Sequence, residues 1–149
     1  VGPRNVAPPP VLQDLPPGVS ARVLPAFFRI GGPWAVPQVQ YSLPLSGLKL
    51  VHCADPATPV IFTGGSDGLH IFPAAPPTVR CLIAVLRDDI LGRVPLRGAR
   101  FEVGDGIVLA RQWGRWGIVK TGEGMGPERL APADLEALAV LLEHALAAG

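Results

Sequence analysis

His52, Cys53, Asp55, His70 and Cys81 are the residues of this chain best suited to hold a metal or to act as a nucleophile with its base. Zinc sites usually show paired Cys or His at spacings of roughly two to five residues. Here His52 and Cys53 are adjacent, so on a strand they point to opposite faces, while Cys53 and Asp55 can share one. A Cys53–His70 pair across neighbouring strands is the arrangement a small hydrolase would use, but no third group is in place to orient the base. The cluster therefore reads as core cysteine and surface histidine, with no metal and no cofactor expected.

Two glycine-rich segments imitate functional loops. Gly64-Gly65-Ser66-Asp67-Gly68 has the Gly-x-Ser-x-Gly spacing of a hydrolase nucleophile elbow, which needs a helix directly after the serine to supply oxyanion-binding amides. The four strand-like residues that follow run into Pro73, so a hairpin loop is expected, and Ser66 with His70 is the second form a small hydrolase would take. Gly122-Glu123-Gly124-Met125-Gly126 stands between a strand and a helix, as phosphate loops do. It carries Glu123 and Glu128 where an anion would sit and lacks a Gly-Lys-Ser/Thr ending, so it reads as a flexible connection.

The more informative pattern is a meander over about 99–121. Tight turns at Asp105-Gly106 and Gly114-Arg115 predict pairing of Val103 with Val108, Phe101 with Ala110, and Ala110 with Val119, which makes these five a core face. The other face then collects Trp113, Trp116, Arg111, Arg100, Ile118 and Lys120, with Glu102 and Leu109, and sets Trp113 directly across the turn from Trp116. Large aromatics among arginines form interface hot spots and nucleobase-stacking platforms. These six residues are the candidate binding site, and no catalytic residue is assigned.

The elements that would position them are legible to different degrees. Residues 1–20 hold six prolines and read as a linker or a strap over a single domain at 21–149. Strand signals lie over Arg22–Ile30, Gln38–Leu43 and Leu48–Cys53. Val60–Thr63 and Leu69–Phe72 form a hairpin. Thr78 to Gly92 fits a helix, with Val79, Leu82, Ile83, Leu86 and Ile90 on one side, Thr78 as its cap and Gly92 in the left-handed position after its end. A closing helix runs from about Pro132 to Ala147. Its stripe is Leu135, Leu138, Ala139, Leu142 and Leu146, with Glu136, Glu143 and His144 toward water and Asp134 and Glu136 suited to its positive end. The fold class is α+β: short antiparallel strands, a middle helix, the three-stranded meander and an amphipathic C-terminal helix.

Composition bounds the function. A chain of 149 residues with 48% apolar and only 17% charged residues can fill one core, and its net charge of +1 argues against bulk electrostatic binding to nucleic acid or membrane. Eleven arginines against Lys49 and Lys120 match the bias of a GC-rich bacterial genome. No apolar run approaches the roughly 18–20 residues of a membrane span, and no signal peptide is evident at the start. Two cysteines are too few for a disulfide framework, so a reduced, cytoplasmic protein is expected. The leading expectation is a non-enzymatic protein-interaction module, or small subunit of a bacterial assembly, binding another protein through the Trp/Arg face. The alternatives are the small hydrolase and a single-stranded nucleic-acid binder. With a C-terminal helix after a β-rich body, Asp67-Gly68-Leu69-His70-Ile71 and Arg87-Asp88-Asp89-Ile90 faintly resemble bacterial PH-like domains. A helix at 78–91 is foreign to that topology.

Overall fold

Alternation at period two drives the first half of the chain. Val39 and Tyr41, Leu48 and Leu50, Val60 and Phe62, and Phe72 and Ala74 are all fully buried and recur at every second position of neighbouring strands. The computed structural model describes residues 7–24, 37–64, 70–92, 100–121 and 128–148. Strands β1 (Ser20–Leu24), β2 (Gln38–Ser42), β3 (Lys49–Cys53), β4 (Val60–Gly64) and β5 (His70–Ala74) form one antiparallel sheet in chain order. Strands β6 (Arg100–Gly104), β7 (Ile107–Gln112), β8 (Arg115–Lys120) and β9 (Glu128–Leu130) form a second. Between the sheets in sequence lies helix α1 (Pro76–Ala84), and α2 (Pro132–Ala148) closes the chain. One apolar cluster joins the inner face of the first sheet, Val79, Leu82 and Leu86, the Leu stripe of α2, and Leu109 and Ile118 of the second sheet.

The middle helix is present, but its ends differ from expectation. It starts at Pro76, two residues before Thr78, with Ala75 as an N-cap that offers no side chain. Its cap comes instead from the tip of the β6–β7 hairpin: Asp105 Oδ2 accepts the Ala75 amide at 2.8 Å and the Thr78 hydroxyl at 2.7 Å. Past Ala84 the backbone widens into a π-helical turn, Val85–Ile90, closed by the Leu91 amide on the Leu86 carbonyl. Gly92 is not left-handed. It is required because a Cβ there would lie 2.3 Å from the Asp88 carbonyl oxygen.

Helix α2 is docked at both ends. Asp134 is fully buried, and its carboxylate accepts the amides of Leu45 (2.8 Å) and Ser46 (3.2 Å) from the β2–β3 connection as well as that of Ala131 (2.9 Å) at the helix start. Two residues assigned to water do otherwise. Glu143 forms a two-pronged ion pair with Arg87, and His144 Nε2 lies 2.8 Å from the Pro10 carbonyl. Pro9 is buried, and the Leu12 amide donates to Tyr41 Oη at 3.0 Å. No helix among the described residues is long and apolar enough to cross a membrane.

The meander carries the main correction. Asp105 (φ 53°) and Gly106 (φ 74°) do form a two-residue turn closed by Gly104 and Ile107, but a bulge between Glu102 and Gly104 places an extra residue on β6. Phe101 consequently pairs with Leu109, not Ala110, and Glu102 takes the place expected for Val103 opposite Val108. The second turn is Trp113 (φ 56°) and Gly114 (φ 75°), one residue earlier than expected, so Ala110 meets Gly117, Arg111 meets Trp116 and Val119 meets Val108. A one-residue slip exchanges the faces of a strand. The core face is therefore Phe101, Leu109 and Ile118, while Val108, Ala110 and Val119 turn the other way with Arg100 and Glu102. β9, read as part of a flexible connection, pairs with β8 through Trp116 and Leu130 and widens the meander to four strands.

Two stability outcomes follow from these contacts, both measurable by urea denaturation. Leu138→Ala should cost roughly 2–5 kcal/mol, whereas Glu136→Ala, on an exposed position, should stay within about 0.5 kcal/mol. Asp134→Ala strips three backbone donors of their acceptor and should cost more than about 2 kcal/mol, despite removing no apolar contact.

Candidate functional site

Of the six residues expected to share a face, the corrected register keeps Arg111, Trp116, Ile118 and Lys120 on one side, the side turned to the core, and takes Arg100 and Trp113 away from it. Ile118 is fully buried. Trp116 is half-buried and stacks on Phe101, with ring centroids 6.0 Å apart and planes 29° from parallel. Arg111 and Lys120 are half-exposed on the same side as these two, whereas Arg100 is on the opposite side, 3.7 Å from Glu102. Trp113 belongs to neither face. It occupies the tip of the β7–β8 turn and is 86% exposed.

Trp113 is unusual on two counts. The first position of this turn type demands a positive φ, which Asn, Asp or Gly normally supplies. A bulky residue held there stores strain on the order of 1–3 kcal/mol. Its indole also gains almost nothing by burial in return. Around it, Arg115 and Arg129 are exposed, and neither forms an ion pair with a described residue. Beside the tip runs an open groove of about 410 Å³, bounded by Arg115, Trp116, Arg129, Leu135 and Leu45, the last 73% exposed. Asp134 also lines this groove, but its oxygens are taken up by the three amides described above.

The suggestive cluster of Cys and His residues is separated by the first sheet. Cys53 lies at the end of β3 near Val60, while His70 pairs with Gly64 at the far end of the sheet and two strands away. The structure therefore does not bring this nucleophile–base pair together. Cys53 itself is buried with Val51 and Ile61, and burial, aided by the negative charge of Asp55, pushes its thiol up to about 12. A thiol so raised is neutral near pH 7 and is no nucleophile. Ser66 and its loop, 65–69, lie outside the described residues, as do 122–127. Among the described residues no group of three metal-binding side chains comes together.

Sequence reasoning missed a pairing of another kind. His52, expected on the surface, points inward in line with Val39 and Val60 and is 3% exposed. Its ring meets that of His144 edge-on, with centroids 5.9 Å apart. Because the Pro10 carbonyl can only accept, His144 Nε2 carries the proton of that hydrogen bond. His52 Nδ1 is buried without a hydrogen-bond partner among the described residues. Burial, reinforced by His144, drives the His52 pKa down to about 4, so its imidazole is neutral near pH 7. The apolar alternation of β3 was the available signal: His52 continues the inward series Leu48, Leu50.

The pH consequence is specific. Between the ordinary histidine value of 6.5 and about 4, the unfolded chain binds a proton that folded His52 refuses. Stability should therefore fall as pH drops through that window, by about 3 kcal/mol in total, with no contribution from His52 above it. Urea melts at stepped pH should show this loss in the wild type, and His52→Phe should lack that share of it.

No protein-family model matches the chain, and no curated protein or solved structure is detectably similar to it.

Proposed function

We propose that this chain is a non-enzymatic protein-interaction module, a small subunit of a larger assembly, and that Trp113 is the anchor it offers to an acidic segment of another protein. The observation that carries this reading is an indole 86% exposed on a left-handed backbone position. Neither its strain nor its exposed apolar surface benefits the isolated fold. Trp and Arg dominate interface hot spots because they bring large contact area and forked hydrogen bonding together. Arg115 and Arg129 flank the tip, and among the described residues the one carboxylate on the groove wall, Asp134, is already engaged, so the rim favours a negatively charged partner. Trp116, which lines the same groove, is held by stacking on Phe101. The free thiols Cys53 and Cys81 suit a reducing, cytoplasmic setting.

A random peptide display library panned against the folded chain tests this reading. Enriched peptides should be rich in Asp and Glu and weaken with added salt. They should lose at least about 30-fold in affinity on Trp113→Ala, the size of a hot-spot truncation. Peptides without acidic bias, or with equal affinity for Trp113→Ala, would rule it out. Tight binding of oligothymidine dependent on Trp113 would instead favour a single-strand binder.

A further inference from the structure

Trp113 and Leu45 are the two most exposed large apolar side chains among the described residues. Leu45 lines the groove beside Trp113, and the shallow hollow next to the indole shares Arg115, Trp116 and Arg129 with that groove. A single exposed leucine is ordinary on a protein surface. Leu45 differs because its loop is pinned. The Leu45 and Ser46 amides donate to Asp134, the Leu48 amide to Ser46 Oγ at 3.0 Å, and the Leu43 amide to the Leu48 carbonyl. The side chain is therefore held out on a fixed backbone, as that of Trp113 is on its tight turn, and engaging a partner costs little further ordering.

The chemistry of the groove wall restricts the form of that partner. An added strand binds through main-chain hydrogen bonds to an open edge. Along this wall the amides of Leu45, Ser46 and Ala131 are already given to Asp134, and Pro132 has no N–H to offer. An α-helix satisfies its own backbone and needs only an apolar lining, which Trp116, Leu130 and Leu135 provide. The charges agree with a helix. Arg129 faces Gly117 across the β8–β9 pair, so Arg115 is its diagonal neighbour, about 7–8 Å away. Carboxylates on successive turns of a helix stand about 5–6 Å apart and can reach both guanidinium groups.

We propose that the surface spanning Leu45, the groove and Trp113 takes an acidic amphipathic helix of another protein. Its apolar residues, spaced i, i+3 or i+4, and i+7, pack on Leu45, Trp116 and Trp113, and carboxylates on its flank pair with Arg115 and Arg129. This rests on the reading of Trp113 as the anchor for an acidic segment, and adds the form of that segment and Leu45 as a second anchor.

Two matched pools of acidic peptides are the probes, built of Glu and Ala with Leu, Phe or Met varied at i, i+3, i+4 and i+7. In one pool a staple on the opposite side locks the helix; in the other a central proline breaks it. Panned against the full chain, the stapled pool should yield peptides that bind at least about tenfold more tightly than any from the broken pool. Their affinity should fall about 30-fold on Trp113→Ala and about tenfold on Leu45→Ala, both truncations at exposed positions. Val23→Ala, an exposed site outside the groove, should leave it unchanged. Broken peptides that bind as tightly, or stapled binders indifferent to Leu45→Ala, would overturn the helix proposal and leave the reading of Trp113 standing. Binding by neither pool, or binding indifferent to Trp113→Ala, would overturn both. Self-association of the chain that both truncations abolish would overturn both as well, by assigning the surface to a second copy.

Discussion

A single carboxylate, that of Asp105, holds the two sheets and the middle helix in one arrangement. Helix α1 begins on two prolines directly after β5, with no capping side chain of its own, and its exposed N–H groups must be satisfied from elsewhere. The β6–β7 turn delivers Asp105 to that point, where it accepts both the Ala75 amide and the Thr78 hydroxyl. The approach is so close that a Cβ on Gly104 would lie 2.3 Å from the Thr78 oxygen. The end of the first sheet, the start of α1 and the tip of the second sheet thus converge within one turn. The contact fixes where the tip of the second sheet meets α1, while the shared apolar cluster holds Leu109 and Ile118 in the core.

Asp134 does the same for α2. Its carboxylate is buried, yet it is fully provided with donors, two from the β2–β3 connection and one from the helix start. Burying a charge is tolerable only under such conditions. With the N-terminal end of α2 tied to the first sheet, its C-terminal end brings His144 against His52 and the Pro10 carbonyl. The groove beside Trp113 and the His52–His144 pair therefore sit toward opposite ends of one 17-residue helix, itself about 25 Å long. They differ in kind: an exposed indole flanked by arginines at one end, a buried neutral imidazole beside an open cleft at the other.

The Cys53–His70 form of the hydrolase reading weakens for electrostatic and geometric reasons together. A cysteine nucleophile needs a thiolate, and both the burial of Cys53 and the nearby Asp55 oppose one. A base would have to lie alongside it, and His70 is at the far end of the sheet. The PH-like likeness meets a helix from Pro76 to Ala84 where that topology has none.

Much of this architecture was already legible in the residues. The strands from Gln38 to Cys53, the β4–β5 pairing, the middle helix and the closing helix all follow from period-two or period-3.6 alternation, which is local and needs no knowledge of neighbours. The Asp105-Gly106 turn follows equally, because few residue pairs accept two positive φ values. Which face of the meander is buried did not follow. A bulge of one residue near Val103 and a turn centred on Trp113 in place of Arg115 each cost little locally, but they reassign Leu109 and Ile118 to the core and isolate Trp113 at the tip. β9 exists only because β8 offers it an edge. His52 and His144, 92 positions apart, were each assigned to water by their polarity; long-range packing put them together and buried one. Short-range stereochemistry determined the elements, whereas register, caps and buried polar pairs depend on contacts between distant segments, which only the tertiary structure decides.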